Sequence, residues 1–234
     1  MERNSIIWLV IFVLLALLEL VGEILGNHTL ILFSKPLLMP VLAIWLSRKT
    51  PGVRRFFRQT IMAGLLFAML GDIFMMFTHG DYGDFFFLLG LGSFLATHVC
   101  YLGGFFSEVN LRNGYLRRRP LILIPFLVFL AGFLNWLWPD IPEGMQLPVA
   151  VYAVVISTMA LSVVNLQSQV KDLVFTSLLS GALLFMLSDC MIAVFKFGHP
   201  FPGARIAIMA SYILGQWLII HGVAERLRHF PQRP

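Results

Sequence analysis

Two stretches 117 positions apart, GLLFAMLGD at 64–72 and GALLFMLSD at 181–189, each end in an aspartate that follows a small residue. Asp72 comes directly after Gly71, and Asp189 directly after Ser188. A carboxyl at bilayer depth costs roughly 2.5–3.5 kcal/mol, so such groups face a protein interior or a water-filled cavity and are functional candidates by default. Glu19, Glu23 and Lys35 are the other ionisable groups inside apolar runs. At ~1.5 Å per residue, Glu19, Lys35, Asp72 and Asp189 each lie about six residues, roughly 9 Å, from the same end of their segments. Tyr152 and Tyr212 fall near that layer, with His98, Tyr101 and Gln216 deeper. His98 and Tyr101 are spaced i, i+3, and Tyr212 and Gln216 i, i+4, so each pair shares a helix face. The set combines a potential acid, a base and a cation.

Each residue also has a plainer role. Glu19 could neutralise Lys35, because a broken buried ion pair is costly. Glu23 reads as interfacial, and His98 taken alone as a packing histidine. Tyr82, Trp136 and Trp138 fit the aromatic belts of a membrane protein. Gly90, Gly92, Gly103 and Gly104 read as close helix contacts. Asp72 and Asp189 resist such explanations best, since there are too few buried cations to pair both.

The elements that must position these groups follow from composition. Of 234 residues, 59% are apolar and only 12% charged, which excludes a soluble domain. Eight stretches are long enough to span a bilayer: 5–25, 29–47, 58–78, 85–106, 120–138, 148–166, 173–195 and 204–226. The expected fold is all-α, a single integral membrane domain over 1–234 with eight transmembrane helices. The 117-residue offset suggests two parallel four-helix halves. The first stretch exceeds a signal-peptide core and carries Glu19 and Glu23, so it is expected to be retained. Cys100 and Cys190 fall inside predicted helices and cannot by themselves make a metal framework.

The net charge of +5 is distributed as a topology signal, which argues against nucleic acid. Basic residues gather at 48–58 (Arg48, Lys49, Arg54, Arg55, Arg58), at 112–119 and at the C-terminal end (Arg226, Arg228, Arg233). With Arg3 and Lys171, these put 14 of the 17 basic residues on one side. The opposite connections carry Asp81, Asp84, Asp140 and Glu143 against Lys196 and Arg205. By the positive-inside rule both termini face the cytoplasm. A bacterial inner membrane is the expected location, with an internal eukaryotic membrane as the alternative.

The motifs KPLLMP (35–40), GLLFAMLGD (64–72), GSFLATHVCY (92–101), GALLFMLSD (181–189) and SYILGQWLI (211–219) resemble, in order and spacing, the lysoplasmalogenase or YhhN-like family of eight-helix membrane proteins. The resemblance implies hydrolysis of the vinyl ether bond of a lysoplasmalogen held in the membrane, giving a fatty aldehyde and a glycerophospho-alcohol. The matching polar positions are Lys35, Asp72, His98, Tyr101, Ser188, Asp189, Tyr212 and Gln216. Vinyl ether hydrolysis needs one acid and one base, as glycoside hydrolysis does with two carboxyls. Asp72 is assigned as the acid and Asp189 as the base for water, and the reverse assignment stays open. Lys35 or His98 would hold the ionised carboxyl, and Lys35 could instead bind phosphate. Tyr101, Tyr212 and Gln216 would orient water or glycerol hydroxyls. No metal or organic cofactor is implied. The competing classes are a proton-coupled transporter, which the interruption of the second segment by Pro36 and Pro40 would suit, and a lipid-binding or structural membrane protein.

Overall fold

The computed structural model describes residues 2–53 and 55–228; Arg54 and Arg233, two of the basic residues counted above, lie outside them. The described chain contains no strand. It runs α1 (Glu2–Leu25), α2 (His28–Lys49), α3 (Phe56–Met75), α4 (Gly83–Glu108), the single turn α5 (Tyr115–Arg118), α6 (Leu123–Leu137), α7 (Glu143–Val164), α8 (Asp172–Lys196) and α9 (Ala204–Arg228). Eight helical segments among the described residues are long and apolar enough to cross a membrane, one of them running Pro120–Asp140 through α6 and its flanking 3-10 turns. The expected all-α, multi-pass membrane architecture is therefore present.

The polarity of α1 is inverted relative to a soluble helix. Its exposed face carries Ile7, Val10, Leu14, Leu17, Val21 and Ile24 at helical spacing, while Ser5, Phe12 and Glu19 are buried at intervals of seven. Lipid accepts the apolar stripe without cost, so the polar groups turn inward to find partners. The α1–α2 turn is set by local chemistry. Gly26 takes φ 61°, a left-handed conformation in which a Cβ would be strained. Asn27 then caps α2, its Oδ1 accepting from the N–H groups of Thr29 (3.1 Å) and Leu30 (3.3 Å).

Three expectations need correction. α2 runs unbroken from His28 to Lys49 through Pro36 and Pro40, so the prolines do not interrupt it. Each removes a backbone donor, a loss that a membrane helix tolerates when neighbouring groups satisfy the freed carbonyls. α3 stops at Met75, short of 78. There the chain tightens, with Met76 N–H bonding to Ile73 O at 3.2 Å and Phe77 N–H to Phe74 O at 3.0 Å. α7 begins at Glu143, before 148, because Pro148 is accommodated inside the helix.

The chain divides into two compact units, one comprising residues up to Gly104 together with those from Ile220 onward, the other Phe105–Ile219. In the first, α1 packs along α2 and α2 along α3; in the second, α6 packs on α7 and α7 on α8. Two brackets fix connections at helix ends. Arg58, counted above as a topology charge, donates from Nε to Thr50 Oγ1 (3.2 Å) and from Nη2 to Ser47 Oγ (3.1 Å) across the α2–α3 turn. Asn165 Oδ1 accepts from Leu116 N–H at 3.0 Å, and Gln169 Oε1 from Asn110 N–H at 2.8 Å, tying the segment after α4 to the end of α7.

Candidate active site

In the first unit, α3 and α4 interlock through glycine in an antiparallel register. A Cβ on Gly64 would run into the ring of Tyr101, and one on Gly71 would come within 2.9 Å of the ring of Phe94. In return, Gly90 faces Met75, and Gly104 faces Thr60 and Phe57. Thr97 Oγ1 pins the crossing by bonding to Gly64 O at 3.1 Å. Small residues let two backbones approach where lipid offers no hydrophobic drive for association. Gly90 and Gly104 are thus the expected helix contacts, but a Cβ on Gly92 or Gly103 would meet nothing within 4 Å. Those two glycines were expected at close helix contacts, and the structure leaves open space where a side chain on either would stand.

This register sets the order of the polar groups. Asp72 is 1% exposed at the end of α3, next to Gly71, with the Phe94 ring at its level on α4. Tyr101 is level with Gly64, eight residues earlier on α3, so it stands about 12 Å deeper than Asp72 along the helix. His98 is fully buried on α4, one residue after Thr97. Tyr101 is also fully buried, with its ring seated on Gly64. On α2, Lys35 is half-buried, beside the fully buried Ser34. Glu19, also fully buried, lies 2.6 Å from Ser34 Oγ, which in addition donates to Leu30 O at 2.7 Å. Because α3 ends early, Asp72 lies three residues from the helix end at Met75, whereas Asp189 lies seven from Lys196. The matched depth read from the sequence therefore does not hold for Asp72 when depth is counted from the observed helix ends.

In the second unit, α8 and α9 form a pair of the same construction. A Cβ on Gly181 would lie 2.7 Å from Ile219 N and 2.8 Å from Gly215 O, so the backbones are in contact. Ser177 Oγ donates to Leu218 O at 2.8 Å, and Ser188 Oγ donates to Ile208 O at 3.0 Å, fastening α9 to α8 above and below that crossing. Tyr212 meets Phe185 edge-on, with ring centroids 5.4 Å apart. Gln216 is fully buried, one residue beyond Gly215. The likeness to α3–α4 is close. Gly64 and Gly181 are the crossing points, and Gly71 and Ser188 are the small residues facing the partner helix. Asp72 and Asp189 come next along their chains. His98 and Gln216 each follow the residue that touches the crossing glycine.

These pairs explain the small residue before each aspartate. Gly71 and Ser188 let the partner helix close over the chain at that point, which puts the next residue in a buried position. Ser188, expected to bind substrate, spends its hydroxyl on Ile208 O. Asp189 has a partner that sequence reasoning placed at the right depth but gave no role. The hydroxyl of Tyr152 on α7 donates to Asp189 Oδ2 at 2.5 Å. The signal available was a lone polar aromatic in the apolar run VAVYAVV at 149–155. Among the described residues no three His, Cys, Asp or Glu side chains gather as a metal site. Cys100 and Cys190 are free thiols. The arrangement offers buried carboxyls, hydroxyl donors and an imidazole within apolar helix pairs, which are parts suited to proton transfer in a water-poor setting.

No solved structure matches the chain. The lysoplasmalogenase TMEM86A of Bos taurus is 30% identical over 196 residues, covering 80% of this chain and 76% of that protein. The lysoplasmalogenase TMEM86B of Sus scrofa is 27% identical over 187 residues, 80% of this chain and 73% of its own. A lysoplasmalogenase of Mycobacterium tuberculosis is 27% identical over 166 residues, 70% of this chain and 60% of its own. The family model described as the YhhN family matches residues 30–223, a stretch that holds Lys35, both aspartates and both glycine-crossed helix pairs, and the chain belongs to that family.

Proposed function

We propose that this chain is a lysoplasmalogenase, hydrolysing the vinyl ether bond of lysoplasmalogens with a choline or ethanolamine headgroup. The observation that carries the proposal is the burial of two carboxyls, Asp72 and Asp189, inside the stretch matched by a family whose curated relatives bear that name. The reaction begins with proton transfer from an acid to the β-carbon of the vinyl ether, which leaves an oxocarbenium ion. Water adds to that cation as a base takes its proton. The resulting hemiacetal collapses, breaking the bond between carbon and the glycerol oxygen, to a fatty aldehyde and a glycerophospho-alcohol.

In this scheme Asp72, buried near the end of α3, is the acid. Asp189, with a hydroxyl donor on Oδ2, is the base for water. Lys35, half-buried on α2, suits the phosphate of the headgroup. His98, Tyr101, Tyr212 and Gln216 supply polar contacts for water and glycerol hydroxyls, and the alkenyl chain enters from the lipid. The concentration of basic residues on one side of the spans supports cytoplasmic termini in a bacterial inner membrane.

The test is release of fatty aldehyde from choline and ethanolamine lysoplasmalogens by the detergent-purified protein, beside Asp72→Asn and Asp189→Asn variants that elute and melt as folded proteins. Aldehyde is expected from the parent and a loss of at least about a hundredfold from each variant, as removal of a general acid or base produces. A folded parent that releases none from either headgroup over a broad pH range would sink the assignment.

A further inference from the structure

We infer that Tyr152 is a positioning residue for Asp189, fixing the carboxylate that activates water. This rests on the lysoplasmalogenase reading above and extends it to a residue on a third helix of the second unit. On α7 the buried residues Met145, Val149, Tyr152, Ile156, Met159 and Val163 form one stripe at helical spacing, and α7 packs on α8. Tyr152 is the one aromatic hydroxyl in that stripe, and its side chain is buried. Its hydroxyl reaches across to Oδ2 of Asp189 at 2.5 Å.

Two consequences follow for the carboxylate. The bond selects one orientation about the terminal torsion, which is otherwise broad for an aspartate. It also ties the orientation of Asp189 to α7 as well as to its own helix, so the group waits in place rather than searching rotamers. Ser188 cannot serve in this role, since its hydroxyl is committed to Ile208 O on α9. Tyr152 contacts Asp189 directly, so in this scheme its influence on the reaction runs through the aspartate.

The experiment compares full-length parent, Tyr152→Phe and a fluorotyrosine series at position 152 in the aldehyde-release assay. Tyr152→Phe removes one oxygen and keeps the ring. The expected result is a folded protein with kcat lowered by about 10- to 100-fold, the scale set by misplacement of a catalytic group, and KM within about twofold of parent. Fluorotyrosines keep the hydroxyl and the ring while making the hydroxyl more acidic. Monofluorotyrosine should restore most of kcat, and kcat should change progressively along the series as donor strength changes. A folded Tyr152→Phe protein with parental kcat overturns the inference. So does a fluorotyrosine series with flat kcat, which would assign the hydroxyl to packing alone; that arm decides the matter even where Tyr152→Phe fails to fold. An inactive parent would instead overturn the lysoplasmalogenase reading itself, so the two failures are distinguishable.

Discussion

Gly103 and Gly181 show how differently two glycines can serve in one membrane protein. Gly103 has open space where a Cβ would go, whereas Gly181 lies against backbone atoms of Gly215 and Ile219. Gly103→Ala should therefore stabilise by up to about 1 kcal/mol, the helix-propensity difference, with no steric cost. Gly181→Ala must push two helices apart and should destabilise by about 1–3 kcal/mol, the usual range for overpacking. Reversible unfolding in mixed micelles measures both, and equal effects of the two substitutions would refute the backbone contact. Sequence alone could not separate these cases, because both glycines sit in apolar runs and only helix rotation decides which faces a neighbour. The same holds for Tyr152. Its depth was legible, but pairing with Asp189 depends on the rotation of α7 relative to α8, which no one-dimensional pattern states. Glu19 is a further instance: the sequence offered Lys35 as its neutralising partner, and the structure places Ser34, one residue earlier, on its carboxylate.

At the scale of elements, the eight spans were legible because each needs about 20 apolar residues and the loops between them are short. Their ends were less so. α7 begins five residues before the expected 148, and the last turn expected of α3 tightens and ends instead. The connection after α4 behaves as a held strap rather than a free loop, since Asn165 and Gln169 occupy the amides of Leu116 and Asn110. Asn165→Ala should cost about 1 kcal/mol, the net value of a hydrogen bond. It should also accelerate hydrogen exchange at the Leu116 amide while leaving the middle of α7 unchanged. Unaltered exchange at Leu116 would show that the strap is held by other contacts.

For the molecule as a whole, the two compact units meet in sequence at Gly104 and Phe105 and again at Ile219 and Ile220, inside α4 and α9. Each unit contains one helix with a buried aspartate locked to its successor: α3 to α4, and α8 to α9. The 117-residue offset hinted at this likeness, and the structure gives it physical content in crossing glycines, small residues and buried polar groups at corresponding places. The letters that flank each aspartate are thus packing letters, and the carboxyl is the chemical one. The backbone contact of α8 and α9 also has a mechanical meaning. A chain drawn out of the bilayer by its C-terminal end, as with the tip of a force microscope, should not surrender α9 alone. Gly181, Gly215 and the two serine fastenings make α8 and α9 one mechanical hairpin, so they should leave in a single rupture. Gly181→Ala should split that event into two, each at lower force, and two ruptures in the parent would mean that the crossing carries no tension.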